Sequence, residues 1–312
     1  MKTIIFLRKT TFLSLLVGLV LVQLSCSDDF IGAKLDKATV ETLVEDFGAN
    51  DGLSVDRGGN IYASNFAAFA GTELLKTNPR TGVTEIIADN LVAPTGNVVD
   101  SDGNIFVVNN IRFLSQEEGT TQADVLRISS DGTQELIATL PGFPAGITLD
   151  NANNIYVSNF SFAGVHKITL EGEVSVYAQD PRLLGGVGID FDNSGNLLVG
   201  NFSTGDIISI SEEGNSTLLA TIPTVVEGVV LGYITYFAGS VFATAISENI
   251  IYRVTMDGEV ISFAGNGAQA TIDGNIDEAS FSGPNGITAD PLRNRIYISE
   301  TGNSALRVIK FG

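Results

Sequence analysis

The sequence predicts an all-β protein, a six-bladed β-propeller of four-stranded blades, on three observations. One pattern recurs. In GITLDNANNIYVSNF (146–160) two short apolar, β-branched runs flank an Asp/Asn turn, with Gly146 leading to Asp150, Asn154 and Asn159. The same spacing starts at Gly52, Gly96 and Gly188; a degenerate copy starts at Gly232, and a sixth, with one residue inserted, at Gly286. Each copy but the last is then followed by two further short strands around a polar turn such as Asp131-Gly132 or Glu171-Gly172. The glycines recur about every 47 residues, which suits a four-stranded blade and shows no helical period.

Taken in order, the chain begins with Lys2, Arg8 and Lys9 ahead of an apolar run from Phe12 to Leu24. A basic flank and a short apolar core read as an export signal, too short and wrongly flanked for a membrane span. The run ends at Ser25-Cys26, the single cysteine, and the arrangement resembles a bacterial lipoprotein signal, with Gln23 in place of the usual apolar residue. The resemblance implies that residues 1–25 are removed and that Cys26 carries lipid, tethering the chain to a membrane without spanning it. A buried structural cysteine is the alternative. Residues 26–37 read as anchor and linker. Ser27-Asp28-Asp29 resembles the surface-export tag of some outer-membrane lipoproteins, so an extracytoplasmic location on the outer membrane is expected.

The propeller is expected over 38–312. Ala38–Phe47 reads as one strand with no partner of its own, and the sixth copy stops one strand short after Ala305–Lys310. The early strand supplies the missing piece and closes the ring, which removes an exposed sheet edge. With no second cysteine, stability must come from the apolar core, for which a 44% hydrophobic content is ample.

Charge narrows the partners. The net charge is −19, and without Lys2, Arg8 and Lys9 the balance is 14 basic against 36 acidic residues, about −22. Such a surface repels phosphate backbones, so no nucleic acid is expected. Membrane contact is expected through the lipid only, and the chain is expected to be a monomer. The one histidine, His166, falls in an outer strand of the third blade, where it reads as a sheet residue. Without another histidine or cysteine there is no Ser-His-Asp triad or zinc cluster, and a His-dependent streptogramin lyase is excluded.

The repeats resemble the NHL-repeat propellers and the related senescence marker protein/gluconolactonase superfamily. The strongest likeness is AGNGAQATIDGNIDEASFSGPNGITADPLRNRIYISETGNSALRVI at the end of the chain, and it extends over nearly all of 38–312. That resemblance implies an axial site. Residues before each repeat glycine (Asp51, Thr95, Ala145, Val187, Leu231, Asn285) and residues ending each second strand (Asn65, Asn109, Asn159, Asn201, Ala245, Glu300) should share one face near the axis. Arg112, Phe113 and Phe281, from two long insertions, should line its walls. The gluconolactonase-like enzymes hold a divalent metal there, and Asp51-Gly52 and Asn285-Gly286 resemble two of its ligand positions; Ca2+ or a similar hard cation would polarise a lactone carbonyl. No glutamate occupies an equivalent position, although Glu227 or Glu300 could stand in. The competing reading is that Asp51 and Asn285 cap their strands and the asparagines satisfy turn backbone. Asp273-Gly-Asn275-Ile-Asp277 and Asp190-Phe-Asp192-Asn-Ser-Gly195 carry alternate oxygen donors but lack a complete calcium-loop pattern.

The sequence therefore points first to a lipid-anchored extracytoplasmic binding module for a peptide, glycan, protein or small molecule. The ligand positions would be Asp51, Asn285, Asn65, Asn109, Asn159, Asn201 and Glu300. The alternative is a metal-dependent, gluconolactonase-like hydrolase of lactones or esters.

Overall fold

The computed structural model describes residues 35, 37–110, 122–223, 226 and 228–312. The leader with Cys26, together with Arg112, Phe113 and Glu227, lies outside the described residues. Among the described residues the chain forms six antiparallel sheets arranged as blades, spanning 53–88, 97–141, 144–179, 186–221, 231–264 and 284–310. Strand Thr39–Val44 pairs antiparallel with Leu306–Lys310 and completes the sixth blade, as the missing strand required. A two-residue strand, Gly274–Asn275, adds to its outer side, a fifth strand the sequence pattern did not contain. Among the described residues helix is confined to Leu35 and two 3-10 turns, Ala67–Phe69 and Pro181–Leu183.

The repeated residues have local reasons. In four blades an Asp accepts both the backbone N–H and the side-chain amide of the Asn four residues on: Asp100 takes Asn104 N at 2.9 Å and Nδ2 at 2.8 Å, and Asp56, Asp150 and Asp192 do the same. The turn is thus closed by its own side chains. Asp192 is bound in this way, and Asp273 meets Thr42 Oγ1 and Arg307, so both suspected calcium loops spend those carboxylates on protein donors.

The glycines answer to packing at the axis. Inner strands converge there until backbone meets backbone. A Cβ on Gly146 would stand 1.9 Å from the Val187 carbonyl oxygen, and one on Gly286 would stand 2.0 Å from that of Asp51. Hydroxyls stitch the same contacts: Ser158 Oγ donates to Val187 O at 2.7 Å and Ser299 Oγ to Asp51 O at 3.1 Å.

The fifth blade departs from the expected register by one residue. Leu231 pairs with Ala245 and Ile234 with Ala243, as Pro144 pairs with Asn159 and Ile147 with Val157 in the third blade. Gly232 therefore holds the position before the repeat glycine, and Tyr233 stands where the other blades have glycine. The cause is the turn. Phe237 and Ser240 are joined by Ala238-Gly239, both at positive φ (48° and 78°), a two-residue hairpin in place of the Asp/Asn turn. A one-residue slip exchanges the faces of every side chain in a strand.

Candidate functional site

The inner strands open at one end into a cavity of about 660 Å3 on the axis. Five phenylalanines among the described residues line it: Phe66, Phe69, Phe143, Phe160 and Phe202. They touch in sequence around the mouth, with ring centroids 4.7, 5.7, 6.3 and 5.8 Å apart. Three of these contacts are edge-to-face and that of Phe69 with Phe143 is tilted, arrangements that aromatic rings favour at these separations. Ala145 and Val187 continue the apolar wall.

Phe66 to Phe69 lies in an unusual loop. Ala67, Ala68 and Phe69 sit at φ 44°, 50° and 74°, a left-handed conformation that non-glycine residues adopt at a cost. The loop is held by Asn50 Oδ1, which accepts from Ala67 N at 3.2 Å, and by the Gly71 N–H, which donates to Phe66 O at 3.0 Å.

The floor is polar. Tyr233 crosses the axis and its hydroxyl donates to Asp51 Oδ1, which also accepts from Gly52 N at 3.0 Å. Asn285 Nδ2 donates to Asn50 O at 2.8 Å and to Asp51 Oδ2 at 3.2 Å. The two residues singled out before the first and last repeat glycines therefore meet across the ring closure. Burial pushes the Asp51 carboxyl up to about 6, against the pull of the Tyr233, Gly52 and Asn285 donors. Burial and then the Asp51 charge push the Tyr233 phenol well above its ordinary range, so it stays a hydrogen-bond donor.

The strand-end residues are placed differently. Asn109 Oδ1 accepts from Val92 N at 2.6 Å; Asn159 accepts from Phe143 N and Ser161 N and donates to Pro141 O at 2.7 Å; Asn201 donates to Leu184 O at 2.7 Å and accepts from Ser203 N at 3.0 Å. These amides brace loops beside the mouth. Asn65 is half-buried and does not line the cavity. Glu300 is fully buried, taking Arg307 Nη1 at 2.7 Å, Thr271 Oγ1 at 3.0 Å and Ser282 N at 3.1 Å. At five of the six strand ends, Ala245 included, the next residue faces the cavity: Phe66, Phe160, Phe202, Ile246 and Thr301; after Asn109 it is Asn110, buried with its amide on Ala93 O. Phe281, expected on the wall, is buried in the core under the Arg307 guanidinium instead. His166 is also buried, its ring against Phe162, and burial lowers its pKa.

A hard divalent cation takes six to eight oxygens. Asp51 is the one acidic residue lining the cavity among the described residues, and both its oxygens already accept hydrogen bonds. Asn285 turns its NH2 toward Asp51, and most of the remaining wall is hydrocarbon. This donor set does not fit a calcium centre. It fits a ligand that offers a large apolar face and one polar end.

No protein-family model matches the sequence. A 120-residue segment is 28% identical to the protein strictosidine synthase-like 3 of Arabidopsis thaliana, covering 34% of this chain and 30% of that protein. The match thus spans less than a third of that relative's length. An auxiliary nutrient binding protein from Bacteroides thetaiotaomicron has a TM-score of 0.69 at 14% identity, over 88% of this chain and 76% of that one. A gluconolactonase from Xanthomonas campestris has a TM-score of 0.66 at 14% identity, over 92% and 94%. An inactive virginiamycin B lyase from Staphylococcus aureus, solved with quinupristin, has a TM-score of 0.59 at 18% identity, over 84% and 80%. At these identities the likeness establishes the six-bladed fold alone, one shared by a binding protein, a lactonase and a lyase.

Proposed function

We propose that this propeller is a lipid-anchored extracytoplasmic binding module whose ligand is a small, largely apolar molecule seated in the axial bowl. The ligand's polar end meets Asp51, Tyr233 and Asn285. The observation that carries this reading is the arc of five touching phenylalanines above a single buried polar cluster. Apolar pockets with a few convergent polar groups are the usual form of small-molecule sites. A glycan would need a denser set of polar contacts than this wall supplies. The occurrence of the same fold in a protein described as nutrient-binding is compatible with the reading.

A thermal-shift and native mass-spectrometry screen of small hydrophobic compounds tests it. A ligand that stabilises the protein, and loses that effect in Phe160→Ala/Phe202→Ala, supports the site. Ligands that bind the double variant equally well would place recognition elsewhere. The anchor is tested separately: Cys26→Ser should move the protein out of the lipid-modified membrane fraction, and unchanged lipid labelling would sink that part.

Hydrolysis of a lactone or ester in the same bowl is the second reading. It is favoured by one observation, a carboxyl poised at about 6 where proton transfer near neutrality is feasible. Ester turnover that is abolished in Asp51→Asn, with ligand binding retained, would bring this reading forward.

A further inference from the structure

At the end of the ring opposite the aromatic bowl, turns of the first and last blades border a cleft of about 310 Å3 into which Arg80, Arg293 and Arg295 converge, with Asn60 and Asn78 beside them. Arg293 is held in place. Its Nη1 donates to Asp290 Oδ2 at 3.0 Å and its Nη2 to the Arg57 carbonyl at 2.9 Å. Its guanidinium lies on Gly59, where a Cβ would stand 2.6 Å from Cζ. Arg80 and Arg295 have no carboxylate partner among the described residues. By contrast Lys76, Arg127, Lys167, Arg182, Arg307 and Lys310 each sit on an Asp or Glu. In a chain of net charge −19, three arginines thus share one cleft and two of them lack a carboxylate; among the described residues Lys37 and Arg253 lack one as well, but neither lines this cleft.

We propose that the cleft is an oxyanion site that takes a phosphate group. The field of an acidic protein repels anions at long range, so one is retained only by matched short-range contact. Guanidinium forks provide that contact, and forks arriving from separate turns can embrace a tetrahedral anion from several sides. The strand register adds a second circumstance. Thr39 pairs with Lys310, and Lys310 with Arg295, so the first strand starts at the arginine end, on the side of the lipid anchor proposed above at Cys26 in the sequence. The phosphate thus has two sources, a free phosphate compound or a phospholipid headgroup.

Calorimetric titration with inorganic phosphate and with glycerophosphoglycerol, the deacylated headgroup of phosphatidylglycerol, separates them. Wild type, Arg80→Ala, Arg295→Ala and the control Arg127→Ala are compared at low and high salt, with melting curves to verify folding. Each cleft substitution should weaken binding about tenfold, as loss of one charge-assisted contact does, while Arg127→Ala leaves it unchanged. Tighter binding of phosphate identifies a free phosphate compound as the source; tighter binding of the diester identifies the lipid headgroup. Saturable binding of neither anion, or an equal loss in Arg127→Ala, overturns the proposal.

Discussion

Replacing Tyr233 by Phe removes one hydroxyl from the axis and leaves the ring that fills it. In the wild type the Asp51 carboxyl stands at about 6 against an ordinary 3.8, because burial outweighs three donors, of which Tyr233 is the largest contributor. A charge-assisted hydrogen bond is worth about 1.5–3 kcal/mol, and part of it persists when the acid is protonated. Its loss should therefore move Asp51 from about 6 to about 7, at 1.36 kcal/mol for each tenfold change in proton affinity. The direction of the stability effect follows. Folded Asp51 keeps its proton at a pH where the unfolded chain has lost it, so folding takes up a proton between about 3.8 and 6 and stability falls as pH rises through that window. The wild-type loss from this group is about 3 kcal/mol, and the variant should lose roughly 1.4 kcal/mol more, all of it above pH 6. Carbon-13 NMR titration of the Asp51 carboxyl reads the first quantity, and urea unfolding at pH 5 and pH 8 reads the second. An Asp51 pKa in the variant at or below that of the wild type would refute the geometry drawn here. So would a destabilisation that is the same at both pH values.

Three further outcomes follow from the packing and the donor set. Gly286→Ala places a methyl against the Asp51 carbonyl and the Ser299 hydroxyl, where neither backbone can yield, and should cost about 3 kcal/mol or more in urea unfolding; an unchanged midpoint contradicts the close axial contact. Arg307→Leu strands Glu300 as an unpaired buried acid and should cost about 3–5 kcal/mol, whereas Glu300→Gln at the same time should recover much of the loss, so equal melting of single and double variants argues against the pair. Protein purified without chelator should carry no stoichiometric calcium and show no Asp51-dependent thermal shift on adding it. One ion per chain, lost in Asp51→Ala, would restore the metal-site reading.

The order of the strands, and their number apart from the added Gly274–Asn275, could be read from the residues because each depends on its neighbours in sequence. Asp and Asn four apart close their own turn, β-branched runs extend, and a strand without a partner beside a blade short of one implies closure. Asp51 and Asn285 were also legible as a pair, since both precede a repeat glycine and closure makes their blades adjacent. The lining of the mouth was not. Asn65, Asn159 and Asn201 are each followed by phenylalanine, and that repeated dipeptide was the available signal; which of the two faces the axis depends on where strand alternation ends, and the structure turns the phenylalanines inward. Tyr233 lay beyond reach, because the hairpin at Ala238-Gly239 shifts its strand by one residue and only the pairing of Leu231 with Ala245 reveals it. Sequence alone thus determined a closed ring of six blades, a property of local turns and repeat length. The tertiary structure decided that the ring carries an aromatic bowl over one buried acid, because side chains from six blades acquire a common surface only when their strands converge on the axis.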